Sequence, residues 1–268
     1  MAKFDSSVPS IARIYDYVLG GKDNYPADRA QAEQALAHNP LIPVMARENR
    51  QFLSRAVGWV ARQGIDQFID IGCGLPTEPN THESARAVRP GVMVAYVDND
   101  PVVIGHLNAL VAKGNPGIGV LAGDLREPAR VLDGVADTTD LARPVGLILG
   151  SLLHFISPDE ARDLVSRYAA ALAVGSCLVV SAARMDSSGA DGGYGEYSRN
   201  VTAVYNHSAA DFTRFLGPLE LVPPGIVDAR RWHPALGEPA APPPRDAYML
   251  AAVARVAGKD PLDHLEPA

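Results

Sequence analysis

Cysteine is scarce in this chain: Cys73 and Cys177 are the two cysteines among 268 residues, lie far apart, and form no Cys-x-x-Cys pair. A disulfide framework and a cysteine-based zinc site are thereby excluded, which fits a reducing compartment. The seven histidines show no metal-ligand spacing, so no metal is expected. Basic runs are also missing. The densest basic spot is Arg230-Arg231, and the net charge is -7. A protein that grips long nucleic acid usually shows a basic face, so the balance speaks against nucleic acid. No apolar run approaches the ~20 residues a membrane span needs. The segment Met1 to Arg13 mixes charges and carries no apolar signal core. A cytoplasmic protein with no membrane partner is the expectation by elimination, and no internal repeat is visible.

What is present is ordinary for a globular protein, with 47% hydrophobic and 21% charged residues. The length favours one compact unit over two independent domains. Residues 1–64 read as helices forming an N-terminal cap, and residues 65–268 as the main domain. Ile11, Ile14, Tyr15, Val18 and Leu19 recur at helical spacing, and Gly20-Gly21 supplies a stop. A second helix is predicted from about Pro26 to His38, with proline in its first turn. A third is predicted from about Pro43 to Arg62, with Met45, Phe52, Leu53, Ala56, Val57 and Val60 as one stripe.

From residue 67 short apolar runs alternate with helical stretches. The runs are 67–71, 92–97, 118–121, 145–149 and 177–182, with helices predicted near 81–88, 101–112, 127–132 and 158–173. Ser157-Pro158-Asp159-Glu160 reads as a capping box, and Gly175 follows that helix. Strands without alternation, separated by helices, imply a parallel sheet with right-handed crossovers. The fold class is therefore α/β: a doubly wound, Rossmann-like, mostly parallel sheet under a helical cap. After Ala183, residues 185–197 read as a glycine-rich loop, Ser208 as the cap of a helix near 209–216, and 219–222 as a short strand. The proline-rich stretch 233–245 reads as a surface loop. The strand at 248–256 is predicted antiparallel, since no room for a crossover helix follows Val222.

The sharpest chemical signal is Phe68-Ile69-Asp70-Ile71-Gly72-Cys73-Gly74, a buried strand that ends in an acid and runs into glycines. Glycine permits positive φ and lets backbone approach a ligand with no Cβ in the way. The second strand ends at Asp98, where a carboxylate can take both hydroxyls of a ribose. The third ends in Gly123-Asp124-Leu125, where an acceptor can meet an adenine amino group. Each Asp alone could be a turn or N-cap residue. All three at successive strand ends converge on one crevice, at the carboxyl edge where such sheets bind ligands.

Asp70-Ile71-Gly72-Cys73-Gly74, Tyr96-Val97-Asp98, Gly123-Asp124-Leu125 and the string from Leu147 to Phe155 resemble four motifs of class I S-adenosylmethionine-dependent methyltransferases. The chain resembles more closely a bacterial methyltransferase family long filed as a domain of unknown function. That likeness rests on the string from Arg13 to Asn24, on Gly74-Leu75-Pro76-Thr77 with Asn80-Thr81-His82, and on Tyr96-Val97-Asp98-Asn99-Asp100-Pro101. It implies methyl transfer with S-adenosylmethionine as cofactor and S-adenosylhomocysteine as product. It further implies that Asp70, Gly72 and Gly74 frame the methionine end, and that Asp98 holds the ribose with Asn99 beside the adenine. Asp124 and Leu125 then flank the adenine, and Gly150 and Ser151 offer backbone groups to the amino acid. Pro76-Thr77 departs from the small residues many such enzymes carry there, which alters the path of the loop.

Asn49 falls inside the apolar stripe of the third helix, whereas Arg47 and Arg55 do not. A buried amide needs partners. Asn49 is expected either to face the cofactor's methionine end or to bond neighbouring backbone. Tyr15, Lys22 and Asn24 are expected to border the substrate pocket, mostly through the family likeness. His154, after the fourth strand, is the candidate base, although a histidine between Leu153 and Phe155 also suits packing. His82 reads as a helix-start residue. Tyr194 could cover a substrate, Cys73 is a small neighbour for glycine, and the acceptor is expected to be a small molecule. An NAD(P)-dependent oxidoreductase also uses a glycine loop, but Thr77 stands where its third glycine would lie and no Tyr-x-x-x-Lys pair exists. A nucleic-acid amino-methyltransferase would carry an Asn/Asp-Pro-Pro-aromatic string in place of Gly150-Ser151-Leu152-Leu153. A cofactor-binding module without catalysis is the non-enzyme alternative.

Overall fold

The computed structural model describes residues 4–184, 201–233 and 248–258. Three helices come first: α1 (Ile11–Leu19), α2 (Pro26–His38) and α3 (Ile42–Arg62). Then β1 (Gln67–Ile71), β2 (Met93–Asp98), β3 (Ile118–Ala122), β4 (Gly146–Leu149) and β5 (Cys177–Arg184) alternate with helices. These are α4 (Thr81–Arg86), α5 (Pro101–His106, continued by a π-helical turn at Leu107–Ala112), α6 (Pro128–Gly134) and α7 (Pro158–Ala171). The described chain is completed by α8 (Ala209–Leu216), the short strands β6 (Glu220–Leu221) and β7 (Val227–Asp228), and β8 (Tyr248–Arg255).

The sheet order is β3-β2-β1-β4-β5-β8-β6, with β7 also paired to β8. β1 to β5 are parallel, and the chain reverses its direction of travel between β1 and β4. β8 runs antiparallel to β5 along eight residue pairs, and antiparallel to β6 and β7. The expected antiparallel last strand is thus present. β7 was not legible as a strand, since two residues carry no periodicity.

Alternate residues of each strand feed two cores. Ile69, Ile71, Leu147, Leu149, Leu178 and Val180 pack with Leu164, Val165 and Tyr168 of α7. Phe68, Val94, Ile148 and Val179 pack with Phe52, Val57 and Val60 of α3. Burial on both faces is why these strands read as unbroken apolar runs. It also places α3, expected within the cap, directly on the sheet, leaving α1 and α2 as the outer cover.

The capping box expected at Ser157 does not form: the Ser157 side chain makes no cap bond. Glu160, which would have reached back, is instead drawn to Arg126, with Nε 2.8 Å from Oε1. The box does form at Ser208, whose hydroxyl accepts from the Asp211 N–H while the Ser208 N–H donates to Asp211 Oδ2 at 2.8 Å.

The turn after α1 has a compact logic. Gly20 adopts φ +87° as the left-handed helix stop. A Cβ on Gly21 would lie 1.9 Å from Asp16 Oδ1, so only glycine fits there. The other Asp16 carboxylate oxygen accepts from the Asp23 N–H at 2.9 Å and from Asn24 Nδ2 at 2.8 Å.

Arg13, 3% exposed, joins this outer cover to the sheet. Its Nε lies 2.9 Å from Asp28 Oδ2 on α2, and Nη1 lies 3.4 Å from Asp100 Oδ2 at the start of α5. Nη2 donates to the Val8 carbonyl at 2.6 Å. Removing one partner of a buried pair leaves a desolvated charge behind. Arg13→Met is accordingly expected to destabilise the protein by about 3–5 kcal/mol, measured by urea unfolding.

Candidate functional site

The carboxyl ends of β1, β2 and β4 open into a cavity of about 650 Å³ roofed by α1, α3 and residues 4–10. That volume lies in the ~300–1,000 Å³ range of small-molecule sites. Its wall carries most of the residues singled out above: Asp70, Gly72 and Gly74; Asp98 and Asn99; Asp124 and Leu125; Gly150 and Ser151; Asn49, Tyr15 and His154. Lys22 and Asn24 are not on it. Lys22 is solvent-exposed, and Asn24 closes the turn on Asp16, so the glycine bend serves the fold. Tyr194 and the loop 185–197 lie outside the described residues, as does the proline-rich stretch beyond His233.

At the end of β1, Gly72 and Gly74 take φ +65° and +69°. A Cβ on Gly72 would also strike the Leu152 side chain at 2.8 Å, while the space beside Gly74 is open, with nothing within 4 Å of where a Cβ would stand. Asp98 organises this loop: its Oδ2 accepts from the Gly74 N–H and its Oδ1 from the Asp100 N–H, both at 2.9 Å. Burial raises the Asp98 pKa, and the two backbone donors oppose the rise. Across the cleft Asn99 Nδ2 donates to Asp124 Oδ2 at 3.1 Å, and the other Asp124 oxygen accepts from the Arg126 N–H at 2.9 Å.

Asp70 is 8% exposed and accepts from the Thr81 hydroxyl at 2.6 Å. Burial pushes its pKa up to about 6, against the pull of the Thr81 hydrogen bond and the Arg50 charge. Burial and the Asp98 and Asp70 charges together hold the Cys73 thiol protonated. His82 lies off this cavity, its ring Nδ1 2.8 Å from the Tyr96 hydroxyl.

Asn49, 1% exposed, sits in a directed chain of hydrogen bonds. The Ser151 N–H donates to Ser181 Oγ at 2.9 Å, and the Ser181 hydroxyl donates to Asn49 Oδ1 at 2.6 Å. Asn49 Nδ2 donates to the Tyr15 hydroxyl at 3.1 Å, which in turn donates to the Ala46 carbonyl at 3.0 Å. The chain ties β4, β5, α3 and α1 together at the cavity wall. It also pins Ser151, a non-glycine residue held at φ +55°.

His154 is 6% exposed and its Nδ1 accepts from the Ala183 N–H at 3.4 Å. Burial, reinforced by His207, pushes its pKa down to about 3, so the ring is neutral at physiological pH.

Three residues of this site were not singled out in the sequence. Ser181 is a hydroxyl in an apolar strand and is fully buried. Asp100 caps α5 and receives Ser10 and Arg13. Arg50 follows Asn49 and enters the same wall. A polar residue inside a buried strand, and a cation beside a buried amide, were the signals available.

A doubly wound sheet with acids at three strand ends, a left-handed glycine loop between the first two and antiparallel closing strands defines the Rossmann-like S-adenosylmethionine-dependent methyltransferases. The chain belongs to the S-adenosyl methyltransferase family, whose model matches residues 1–257. A Thermobifida fusca protein provisionally assigned as a methyltransferase is similar at 39% identity and TM-score 0.88, covering 95% of this chain and 97% of that one. A DUF574 family protein from Streptomyces avermitilis is similar at 37% identity and TM-score 0.84, covering 94% and 99%. The magnesium protoporphyrin IX methyltransferase of Synechocystis, solved with S-adenosylmethionine, shares the fold at 15% identity and TM-score 0.52, covering 95% and 99%. No curated protein matches the chain.

Because Asp70 ionises near pH 6 when folded and near 3.8 as a free side chain, the folded state binds the extra proton between those values. Stability from this group is full below pH 3.8 and is lost as pH rises to about 6. Asp70→Asn should therefore unfold later than the parent at pH 7.5, by about 2–3 kcal/mol, with the gap closing toward pH 4. Chemical denaturation of the ligand-free protein across that range measures it.

Proposed function

We propose that this methyltransferase acts on a small, apolar organic acceptor held in the chamber beside the cofactor cleft. The observation that carries this reading is that one cavity joins two unlike halves. One half presents Asp70, Asp98, Asn99 and Asp124. The other is walled by Ile14, Val18 and Ala46 of the helices together with Phe155, Val201 and Val204, which cluster with one another. Polar, charged or polymeric acceptors gain nothing from such walls. Free cysteines, a reducing-compartment trait, support a cytoplasmic setting. Among the described residues no helix is long and apolar enough to cross a membrane.

The residues present fit S-adenosylmethionine. Gly74 leaves open space where backbone can approach a ligand, and the buried carboxylates favour a ligand that carries positive charge. In this reading Asp98 takes the ribose hydroxyls, Asn99, Asp124 and Leu125 border the adenine, and Asp70, Gly72 and Gly74 frame the methionine end. Gly150 lines that end. The Ser151 N–H is committed to Ser181, so Ser151 contributes by holding the wall's shape. The cofactor supplies a methyl group on a sulfonium, and displacement at that carbon depends chiefly on alignment. Asn49 and Tyr15, locked by their hydrogen bonds, set the boundary between cofactor and acceptor. A histidine with its pKa near 3 is a weak base, so His154 orients the acceptor, with its ring packed 4.1 Å from that of Phe155.

Thermal unfolding with S-adenosylmethionine, S-adenosylhomocysteine and NAD tests the cofactor half. A ligand at ~100 times its dissociation constant adds about 2.7 kcal/mol. A rise of several degrees with the first two and none with NAD is expected. A rise with NAD alone would overturn the roles given to Asp98 and Asp124.

A further inference from the structure

The turn after β4 is gripped by the segment that precedes α8. The Tyr205 N–H donates to the His154 carbonyl at 2.8 Å. The fully buried His207 ring brings Nε2 to 2.8 Å from the Leu153 carbonyl. A carbonyl only accepts, so that nitrogen carries the proton. His154 therefore stands on backbone whose two consecutive carbonyls are both taken, with its ring packed 4.1 Å from that of Phe155.

The same logic fixes the proton on His154 itself. An N–H only donates, and the Ala183 N–H meets Nδ1, so Nδ1 holds the lone pair and Nε2 holds the hydrogen. Burial, with the His207 ring adding to it, keeps a second proton off the ring. Nε2 has no acceptor among the described residues, yet it is not sealed in the core as Trp232 Nε1 is. It opens on the cavity, which His154 lines beside Phe155, Val201 and Val204. Tyr15, on the same wall, has given its hydroxyl hydrogen to the Ala46 carbonyl and offers no donor.

An uncharged donor set among apolar walls recognises a lone pair on an uncharged molecule. A hydrocarbon laid over it would leave the N–H without a partner, which is costly. The Phe155 ring beside it supplies an aromatic face. Resting on the reading of this half of the cavity as the acceptor chamber, we propose that His154 selects the acceptor as a neutral hydrogen-bond donor. Its Nε2–H holds a ring nitrogen or carbonyl oxygen of an uncharged aromatic molecule whose ring lies against Phe155. His154 is then the residue that tells one ring system from another of the same shape.

The test uses protein saturated with S-adenosylhomocysteine and two fused-ring probes of one shape. Quinoline carries a ring nitrogen that is uncharged at neutral pH, and naphthalene carries none. Ligand-detected NMR gives the dissociation constant of each for the parent, for His154→Leu and for His154→Gln, whose amide restores a donor near the place of Nε2. The parent should bind quinoline about three- to tenfold more tightly than naphthalene, the range of one net hydrogen bond. His154→Leu should erase that preference by weakening quinoline alone, and His154→Gln should restore part of it. Nitrogen-15 spectra of the parent's imidazoles should show His154 as the Nε2–H tautomer, its N–H signal moving with quinoline and not with naphthalene. That reading stands even if a variant does not fold. An Nδ1–H tautomer, equal binding of the two probes by the parent, or a quinoline preference that survives in His154→Leu would each overturn the proposal. A parent that binds S-adenosylhomocysteine and neither probe would overturn the apolar-chamber reading itself.

Discussion

A buried guanidinium must be met by carboxylates, and Arg13 is met from two directions. Asp28 belongs to the helical cover and Asp100 to the strand-to-helix turn that borders the nucleotide cleft. Taking three charged groups out of water is unfavourable unless their polar atoms find partners. Each guanidinium nitrogen and each carboxylate oxygen has one. Asp28 also accepts the N–H groups of Ser10 and Tyr25 at 2.9 and 2.8 Å, and Asp100 accepts the Val102 N–H that starts α5. Asp100 in turn donates its own N–H to Asp98. The position of the cover and the position of the β2 carboxylate are thus two ends of one electrostatic constraint. A cover that docked elsewhere would strand a charge in the interior.

The same principle governs the opposite end of the cleft with neutral groups. From Ser151 through Ser181, Asn49 and Tyr15 to the Ala46 carbonyl, every link is made and each step changes secondary-structure element. Networks of this kind are stable when complete and costly when broken. Between the charged tie at the β2 end and the neutral tie at the β4 end, the cavity wall is held without the ligand. That matters for a displacement reaction, whose barrier is lowered by alignment fixed in advance.

How much of this could be read from the chain follows from the range of the interactions. Asp70, Asp98 and Asp124 were legible because each is an acid terminating an apolar run, and all three reach the cavity. The helix stop at Gly20 and the cap at Ser208 were legible because they are settled within a few residues. The capping box at Ser157 failed through a contact 34 residues away, the pull of Arg126 on Glu160. Arg50 and Ser181 escaped notice because their partners lie on other elements, and a hydroxyl 132 residues from an amide leaves no periodic trace. Lys22 and Asn24 were placed at the cavity through a family string whose physical content is a turn folded onto Asp16.

The place of β8 in the sheet imposes an order in time. β8 fills the slot between β5 and β6, so the long outer edge of β5 has no strand partner until the chain has been made as far as Arg255. An open edge of apolar residues such as Leu178, Val179 and Val180 is a template for pairing with other chains. During synthesis the nascent protein therefore carries its most adhesive surface to the last stage, and the Rossmann layer cannot finish before its C-terminal strand leaves the ribosome. A truncation that removes β8 would spare every residue proposed to bind the nucleotide and still yield a protein prone to associate through β5.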